Sequence, residues 1–529
     1  MRNGLALLCG IFLLTGFSGV RVMAQQGNAQ PPTFQVTSKL VFLDVTVVDK
    51  KGRPVVTGLT QDDFTIMENK QPQAIFSFEA PEAHTLKTRP GGENPNGEAP
   101  VTILVLDQLD SSFEDFAFLR WEVRRYLEAQ PATLRSPAEL MVVGNQSLEL
   151  VQSYTRSRSD LLDALQHVPT ALPYKQMSPS FWAERFVQSI DALQEIALEN
   201  QGVPGRKNIV WLGHGGPAVN TMGWPQVWID KVNEFVHSTT NMLVDARATL
   251  FVLYPGLKVQ APATQMSALD ASVHLGDGDP FAGDVNFGVF VDETGGKLFY
   301  NRNDVDEEMR DAERMGSEYY TLTYQPHNSD DNGRFERIRV TLRDPNLRAV
   351  TKAGYFAPDA KSKIDPRQRF MYNLSTAVRS SVPFDALGVS VGGVVRHSDS
   401  QTAEFLVIVE PKNLGWQAGD EGRDTAELVL AAASLNGRRD ILASKMQTWN
   451  VAETKKAEDA GNLIPLKVTL RLPKRTQTVR VVIETQEGGR MGTAEVARKT
   501  IDAAPEAPTP QPHLSPQQGN AGGAGAPAK

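Results

Sequence analysis

The sequence predicts an α/β protein in which a Rossmann-like, doubly wound sheet is flanked by β-rich segments on both sides. Three observations predict this class. Strand and helix patterns alternate between residues 100 and 326, strand patterns precede that stretch, and short strands separated by turn residues follow it. With 529 residues, 41% of them hydrophobic, the chain is long enough for several cores.

The first 24 residues have the pattern of a secretory signal peptide. Arg2 supplies the positive end, Leu5 to Phe17 the apolar stretch, and Val22 to Ala24 the small-residue cleavage pattern. We therefore expect export to the periplasm, the cell surface or the medium. The single cysteine, Cys9, lies inside this signal, so cysteine chemistry is not expected in the mature chain. No later segment has the roughly 18 consecutive apolar residues of a transmembrane helix, so none is expected there.

The overall charge argues against one class of partner. A formal net charge of -8 and a pI near 5.6 do not suit a nucleic-acid binder, which needs a basic face to neutralise phosphates. We therefore expect no nucleic-acid partner.

Residues 33–88 are predicted to form a small N-terminal β module. Its strand patterns run from Leu40 to Val48, from Phe64 to Met67 and from Ala74 to Phe78. The Pro/Gly/Asn-rich residues 89–99 break this periodicity and predict a linker.

Residues 100–326 alternate between buried-strand and amphipathic-helix patterns, which predicts a mainly parallel sheet with helices on both faces. The predicted strands are 101–106, 139–143, 148–151, 208–212, 249–254 and 297–300, and the predicted helices are 114–128, 159–167, 180–199, 225–246 and 304–315.

The remaining chain is predicted to be β-rich and then unstructured. Residues 327–360 form a β-hairpin exit segment around a turn at Asp330 to Gly333, and residues 371–502 carry the short strands of a C-terminal β-sandwich. Residues 503–529 are rich in Pro, Ala and Gly and lack the apolar residues needed to fold, so a disordered tail is expected.

The stretch from Val101 to Ser112 is the strongest indication of a functional site. An apolar strand there leads directly into Asp107, Asp110, Ser111 and Ser112 and then into an amphipathic helix. In open α/β sheets, ligands bind at the carboxyl ends of the strands. These polar residues are therefore predicted to lie at a ligand-binding edge.

Several ordered segments resemble exported bacterial proteins with a von Willebrand factor A-related domain. Residues 45–55 and 58–65 resemble the leader to that domain, 101–112 its first strand, 206–216 its fourth, and 318–326 with 354–358 its exit. The resemblance covers roughly residues 35 to 360. It implies a Rossmann-like sheet whose upper edge holds a divalent cation such as Mg²⁺ and recruits a protein ligand, and it implies no catalysis.

The resemblance also implies a set of metal ligands, which this sequence matches only in part. Asp107 and Ser111 occupy positions of the family's Asp-x-Ser-x-Ser motif, but Leu109 replaces its first hydroxyl. Thr170 is the positional match for the threonine ligand. His214 stands where a second carboxylate is expected, and imidazole suits Zn²⁺ better than Mg²⁺. The metal-ion-dependent adhesion site is therefore predicted to be degenerate.

Other interpretations of the same residues stay open. Ser111 with Glu114 has the spacing of a helix capping box, and Asp107, Asp110 or Ser112 can instead satisfy the first amides of the helix. The acidic loop 257–286 is oxygen-rich enough for Ca²⁺, although its spacing also suits solvated turns.

An enzyme is the least favoured interpretation. Gly388 to Gly392 has nucleophile-elbow spacing around Ser390, but the surrounding residues alternate as a strand, and a catalytic triad in the expected order lacks a suitable histidine. The sequence shows no phosphate loop, dinucleotide fingerprint or HExxH motif. We expect no catalytic residues. The predicted function is protein binding through the upper loops, with a structural envelope scaffold built on the C-terminal β-sandwich as the alternative and a serine hydrolase third.

Overall fold

The structure is a computed structural model of the chain. It describes residues 40–84, 100–109, 111–144, 147–168, 179–213, 215, 225–255, 287–302, 304–327, 332–357, 366–397, 401–419, 423–454 and 461–506. The predicted signal peptide 1–24, the linker 89–99 and residues 507–529 of the predicted tail lie outside them.

The described part of the chain begins with four strands. They are β1 (Val41–Val48), β2 (Phe64–Glu68), β3 (Gln71–Gln73) and β4 (Ile75–Glu79). In β1 the apolar residues Val41, Leu43, Val45 and Val47 lie on one face of the strand and are all buried, as expected for a strand that packs one face on a core.

A six-stranded sheet with helices follows. Its elements are β5 (Val101–Asp107), α1 (Phe113–Ala129), β6 (Thr133–Val143), β7 (Leu148–Ser157), α2 (Arg158–Gln166), α3 (Pro179–Glu199), β8 (Lys207–Leu212), α4 (Gln226–Asp245), β9 (Ala248–Pro255), α5 (Gly288–Thr294), β10 (Lys297–Arg302) and α6 (Val305–Ser317). The strand order is β10-β9-β8-β5-β6-β7. This is the doubly wound order, so the predicted α/β class is confirmed.

One strand of this sheet runs against the others. β7 pairs antiparallel with β6, whereas the remaining neighbours pair in parallel. The connection from Val143 to Leu148 is too short for a crossover and permits only a hairpin. Helices cover both faces of the sheet. Ile103 and Val105 pack toward α3 and α4, while the alternate residues of β5 pack toward α1, α2 and α6.

The strands after the α/β domain return to pair with the first four. They are β11 (Tyr320–Tyr324), β12 (Phe335–Leu342), β13 (Arg348–Val350) and β14 (Gly354–Phe356). The two resulting sheets have the orders β13-β1-β11-β4 and β14-β12-β2-β3 and share one core.

This arrangement corrects two predicted boundaries. The separate N-terminal module 33–88 and exit segment 327–360 form one β unit, which we call the split β unit, and β11 belongs to it although it falls inside the predicted range 100–326. The physical reason is that a two-stranded hairpin is marginally stable alone, and β1 gains hydrogen-bonded neighbours on both sides from β11 and β13.

The C-terminal region begins with a helix. Its elements are α7 (Pro366–Arg379), β15 (Val389–Arg396), β16 (Thr402–Val409), β17 (Gln417–Ala418), β18 (Arg423–Leu435), β19 (Ile441–Thr454), β20 (Ile464–Arg471), β21 (Thr478–Thr485), β22 (Met491–Ala497) and α8 (Arg498–Asp502). Sheet β15-β16-β20 packs on sheet β17-β18-β21-β22, to which β19 is added beside β18. The predicted start at residue 371 falls inside α7, which packs between α3 and the outer face of β18 and β21.

Candidate functional site at the upper edge of the sheet

The upper edge is the side of the six-stranded sheet where β5, β8 and β9 end. Every residue of β5 is buried, and Leu106 at its end is in register with Leu212 of β8. Asp107 is therefore delivered to this edge at a fixed height beside the residues that follow Leu212. This is where a doubly wound sheet binds its ligands.

Asp107 is fully buried, and both oxygens of its carboxylate accept hydrogen bonds from the protein. Oδ1 accepts from the Leu109 backbone N–H at 2.9 Å. Oδ2 accepts from the Trp211 Nε1–H at 3.0 Å and from the Gly215 backbone N–H at 3.0 Å. One carboxylate thus joins its own turn, strand β8 and the loop after β8. A buried carboxylate with three such partners acts as a structural tie.

The glycine between these partners is required by the close approach. Gly213 has a φ of 147°, and a Cβ built there would lie 2.5 Å from the Cβ of Asp107. Any larger residue would therefore displace Asp107 from its donors.

The two serines act on the backbone. Ser111 is buried, and its hydroxyl donates to the Asp107 carbonyl at 2.6 Å. Ser112 is the N-cap of α1, and its hydroxyl accepts from the Asp115 backbone N–H at 3.1 Å. The capping box therefore pairs Ser112 with Asp115, one residue later than the predicted pair of Ser111 with Glu114, because Ser111 is turned inward to Asp107.

A divalent cation does not fit the described part of this site. Three N–H groups already direct hydrogens at Asp107, and the one from Trp211 belongs to a ring held in the core 4.8 Å from the Phe287 ring. Leu109, which replaces a hydroxyl ligand, is fully buried in the core beneath the edge. Among the described residues, no group of three or more His, Cys, Asp or Glu side chains is arranged to hold a metal ion.

Several predicted site residues lie outside the described residues. They are Asp110, Thr170 and His214. The same holds for the acidic loop, since residues 257–286 are not described. The complete predicted ligand set of Asp107, Ser111 and Thr170, with His214 beside it, therefore stays a prediction.

The hydrolase fragment takes the form of a strand. Ser390 lies near the start of β15 and pairs with Ile408 of β16. A nucleophile elbow needs a sharp turn from a strand into a helix, and β15 continues as a strand to Arg396.

The structure adds two features of the edge that the sequence interpretation missed. Trp211 is a partner of Asp107, and its position inside a buried strand was a usable sign because a buried indole N–H needs an acceptor. Phe113, the first residue of α1, is 62% exposed beside the capping box. Its ring is one of the large apolar side chains that the described surface exposes.

Comparisons with known proteins give limited similarity. No protein-family model and no curated protein matches the chain. Among solved structures, it is similar to the crystal structure of the SpRpn10 VWA domain, with 16% identity over 33% of this chain and 82% of that chain and a TM-score of 0.19. It is also similar to the human COPII-coat protein Sec24c, with 9% identity over 53% of this chain and 45% of that chain and a TM-score of 0.23. The α/β assignment rests on the strand order rather than on these scores.

Within the described part of the chain, no helix is both long enough and apolar enough to cross a membrane.

Proposed function

We propose that this chain is an exported, non-enzymatic binding protein that recruits a protein ligand through the upper edge of a von Willebrand A-like domain. The observation that carries the proposal is the exposed ring of Phe113 beside a rigid, internally hydrogen-bonded edge. Exposed aromatic residues on a preorganised surface are typical anchors of protein interfaces.

The proposed recognition uses no metal at Asp107. The carboxylate is occupied by three N–H donors, so its role is to hold the loops after β5 and β8 in one conformation. The predicted ligand-binding edge then acts through shape and apolar contact, with Asp107 and Ser111 supporting the surface from below and Ser112 fixing the start of α1.

A capture experiment with matched variants tests the proposal. The mature chain is used as bait for envelope proteins, and Phe113→Ala is compared with Phe76→Ala, which removes a 72% exposed ring from β4 in the split β unit. We expect one set of captured proteins to be lost with Phe113→Ala and kept with Phe76→Ala. Equal capture by both variants would place the binding surface elsewhere.

Calorimetric titration of Mg²⁺, Mn²⁺, Ca²⁺ and Zn²⁺ into the metal-stripped mature chain tests the metal-free part. We expect no saturable binding that depends on Asp107. Saturable binding that disappears in Asp107→Asn would contradict it. The full mature chain is needed because a fragment starting near residue 98 would lack β1, and β11 would then lose a strand partner.

The second candidate function is a structural scaffold, and one observation favours it. Among the described residues, β19 pairs only with β18, so a 14-residue strand has one edge without a described partner. Such an edge can add a strand from another molecule. Mature protein that elutes as an assembly at micromolar concentration, and as a smaller species after Met446→Pro in β19, would favour the scaffold over the binding role.

A further inference from the structure

The contact between the α/β domain and the C-terminal β unit, which we call the seam, is largely apolar. One buried cluster runs through it and joins the inner face of the six-stranded sheet to α7 and to the outer face of β18 and β21. It includes Leu193, Ile196, Leu374, Ala377, Val429, Ala431 and Val482. Apolar contact of this kind excludes water, which makes any charge inside the seam costly.

Two buried carboxyl groups lie on the α/β side of this seam. Glu139 of β6 is 1% exposed and Glu199 at the end of α3 is 4% exposed. Tyr154 and Asn200 connect them. The Tyr154 hydroxyl donates to Asn200 Oδ1 at 3.1 Å, and Asn200 Nδ2 approaches Glu199 Oε2 at 3.4 Å.

Glu139 is poorly provided with hydrogen-bond donors, since its Oε1 is buried and has no partner among the described residues. The Asn200 amide is fixed in orientation because its Nδ2 also donates to the Ile196 carbonyl at 3.0 Å. Its Oδ1 therefore accepts the only hydrogen of the Tyr154 hydroxyl. The Tyr154 hydroxyl therefore has no second hydrogen to donate to Glu139, and a buried carboxyl group without enough hydrogen-bond donors favours its protonated form.

No cation compensates these two acids among the groups that act on them. Glu139 is influenced by Tyr154 and Asp385, and Glu199 by Glu139, Asp385 and Glu195. Burial, followed by these negative neighbours, raises the pKa of Glu199 well above its usual range, and burial likewise raises that of Glu139.

The other charged groups facing the seam do not change this balance. They are Asp191 and Glu195 of α3, Asp385 before β15, Arg439 before β19, Arg480 and Glu484 of β21, Arg490 before β22, and Glu495 of β22. Arg480 is a buried cation there, and it is already engaged by Glu495 at 2.7 Å and by the Ala377 carbonyl at 2.9 Å. Arg490 donates to the backbone carbonyls of Gly202 and Asn413, both at 2.9 Å. The seam therefore carries an excess of acid.

We propose that the seam is a proton-dependent clasp, closed while the buried pair Glu139 and Glu199 holds a proton and loosened when both carboxyl groups are ionised. The closed state binds more protons than the opened state, in which carboxyl groups have ordinary pKa values near 4.5. The seam is thus strongest at acidic pH and weakens as pH rises from about 4.5 toward and beyond neutrality. This inference does not depend on the proposed binding function.

Hydrogen exchange of the full mature chain between pH 5.5 and 8.5 tests the clasp. Peptides covering residues 192–203 and 372–384 report the seam, and exchange is corrected for its intrinsic pH dependence. In the wild type, we expect the protection factors of these two peptides to fall at least about tenfold between the lowest and the highest pH, relative to those of a peptide from the core of β18. A tenfold change is the equivalent of one pKa unit. In Glu139→Gln, which keeps the shape and removes the ionisation, the fall should be mostly abolished.

Glu149→Gln is the matched control, because Glu149 lies on β7, the same strand as Tyr154, but is exposed. It should behave as the wild type. Equal pH dependence in wild type and Glu139→Gln would overturn the proposal. If Glu139→Gln does not fold, the same exchange measurement on Glu199→Gln decides: loss of the pH dependence supports the clasp, and an unchanged pH dependence excludes it.

Discussion

The α/β domain meets the split β unit through buried cations, whereas it meets the C-terminal β unit through buried acids. At the first contact, Arg206 donates to Thr249 Oγ1 and Thr46 Oγ1, both at 3.0 Å, and Arg247 forms a two-point ion pair with Asp44 of β1. At the seam, Glu139 and Glu199 have no such counter-charge within the described part of the chain. The same domain is therefore attached to its neighbours by contacts of opposite charge balance.

This difference gives the two contacts opposite responses to pH. At the first contact, burial alone would raise the pKa of Asp44, but Arg247 and Arg206 outweigh it and the pKa is lowered. The stabilisation that ionised Asp44 gives the folded state is therefore present above the usual carboxyl pKa and is lost on acidification. Burial also lowers the pKa of Lys207 to about 7, so its contribution is present at high pH and lost as pH falls from about 10.5 to 7. The seam instead loses stability as pH rises.

The largest effect is expected from breaking the ion pair of the first contact. Asp44→Asn leaves Arg247 beside Arg206 without its carboxylate, which should lower the free energy of unfolding by about 3 kcal/mol. Asp49→Asn is the matched control, since its pair with Arg53 is at the surface and should contribute little to stability. Urea denaturation at pH 7 measures both, and equal midpoints would show that the first contact does not depend on this charge pair.

The hydrogen bonds of Asp107 at the upper edge lie outside both contacts. Asp107→Ala at the upper edge removes the acceptor of three N–H groups, two of them from other segments, and should cost about 2–3 kcal/mol. The exposed Glu114, replaced by alanine in the same region, should have little effect. Saturating Mg²⁺ should leave the wild-type midpoint unchanged, and a rise with Mg²⁺ that is absent in Asp107→Ala would restore the metal interpretation.

The pH response of the seam has its own prediction at Glu484. Burial raises the pKa of this residue to about 8, and its Oε2 has no hydrogen-bond partner among the described residues. The protonated Glu484 carboxyl group therefore contributes its full stabilisation of the folded state below about pH 4.5, and this stabilisation is lost as pH rises to about 8. Glu484→Gln should therefore stabilise the chain at pH 8 by about 1–3 kcal/mol and change little at pH 4.5.

Glu427→Gln on the neighbouring strand β18 is the control, because Glu427 is exposed. Stability is measured as the urea midpoint at each pH. The same gain for both variants, or none for Glu484→Gln, would mean that burial does not keep this carboxyl protonated.

The sequence predicted the α/β class because its signals are local. The run from Val101 to Leu106 and the helix that follows differ from the structure by one residue at most end points, since buried parallel strands and amphipathic helices have strong periodicity. The pairing of β1 with β11 was not predictable in this way. It joins residues almost 280 positions apart, and nothing in either strand specifies its partner.

The site was predictable in position but not in chemistry. Asp107 falls at the upper edge as expected, yet its partners come from Trp211 and Gly215, which are distant in sequence. The seam illustrates the same limit. Glu139 lies in a short apolar run, and whether its carboxyl group meets a cation or another acid depends on how α3 and the C-terminal unit pack against it.

The smallest expected effect distinguishes the two serines at the upper edge. Ser112→Ala removes the N-cap of α1 and should cost about 1 kcal/mol, because the Asp115 backbone N–H loses its acceptor. Asp115→Asn removes the carboxylate that completes the capping box. Because both residues belong to the same box, the double variant should lose less stability than the two single variants added together. Ser111→Ala should leave this coupling unchanged, since Ser111 donates to the Asp107 carbonyl and takes no part in the cap. A double-mutant cycle by urea denaturation measures the coupling free energy. If Asp115 were coupled to Ser111 and not to Ser112, the assignment of Ser112 as the N-cap residue would be wrong.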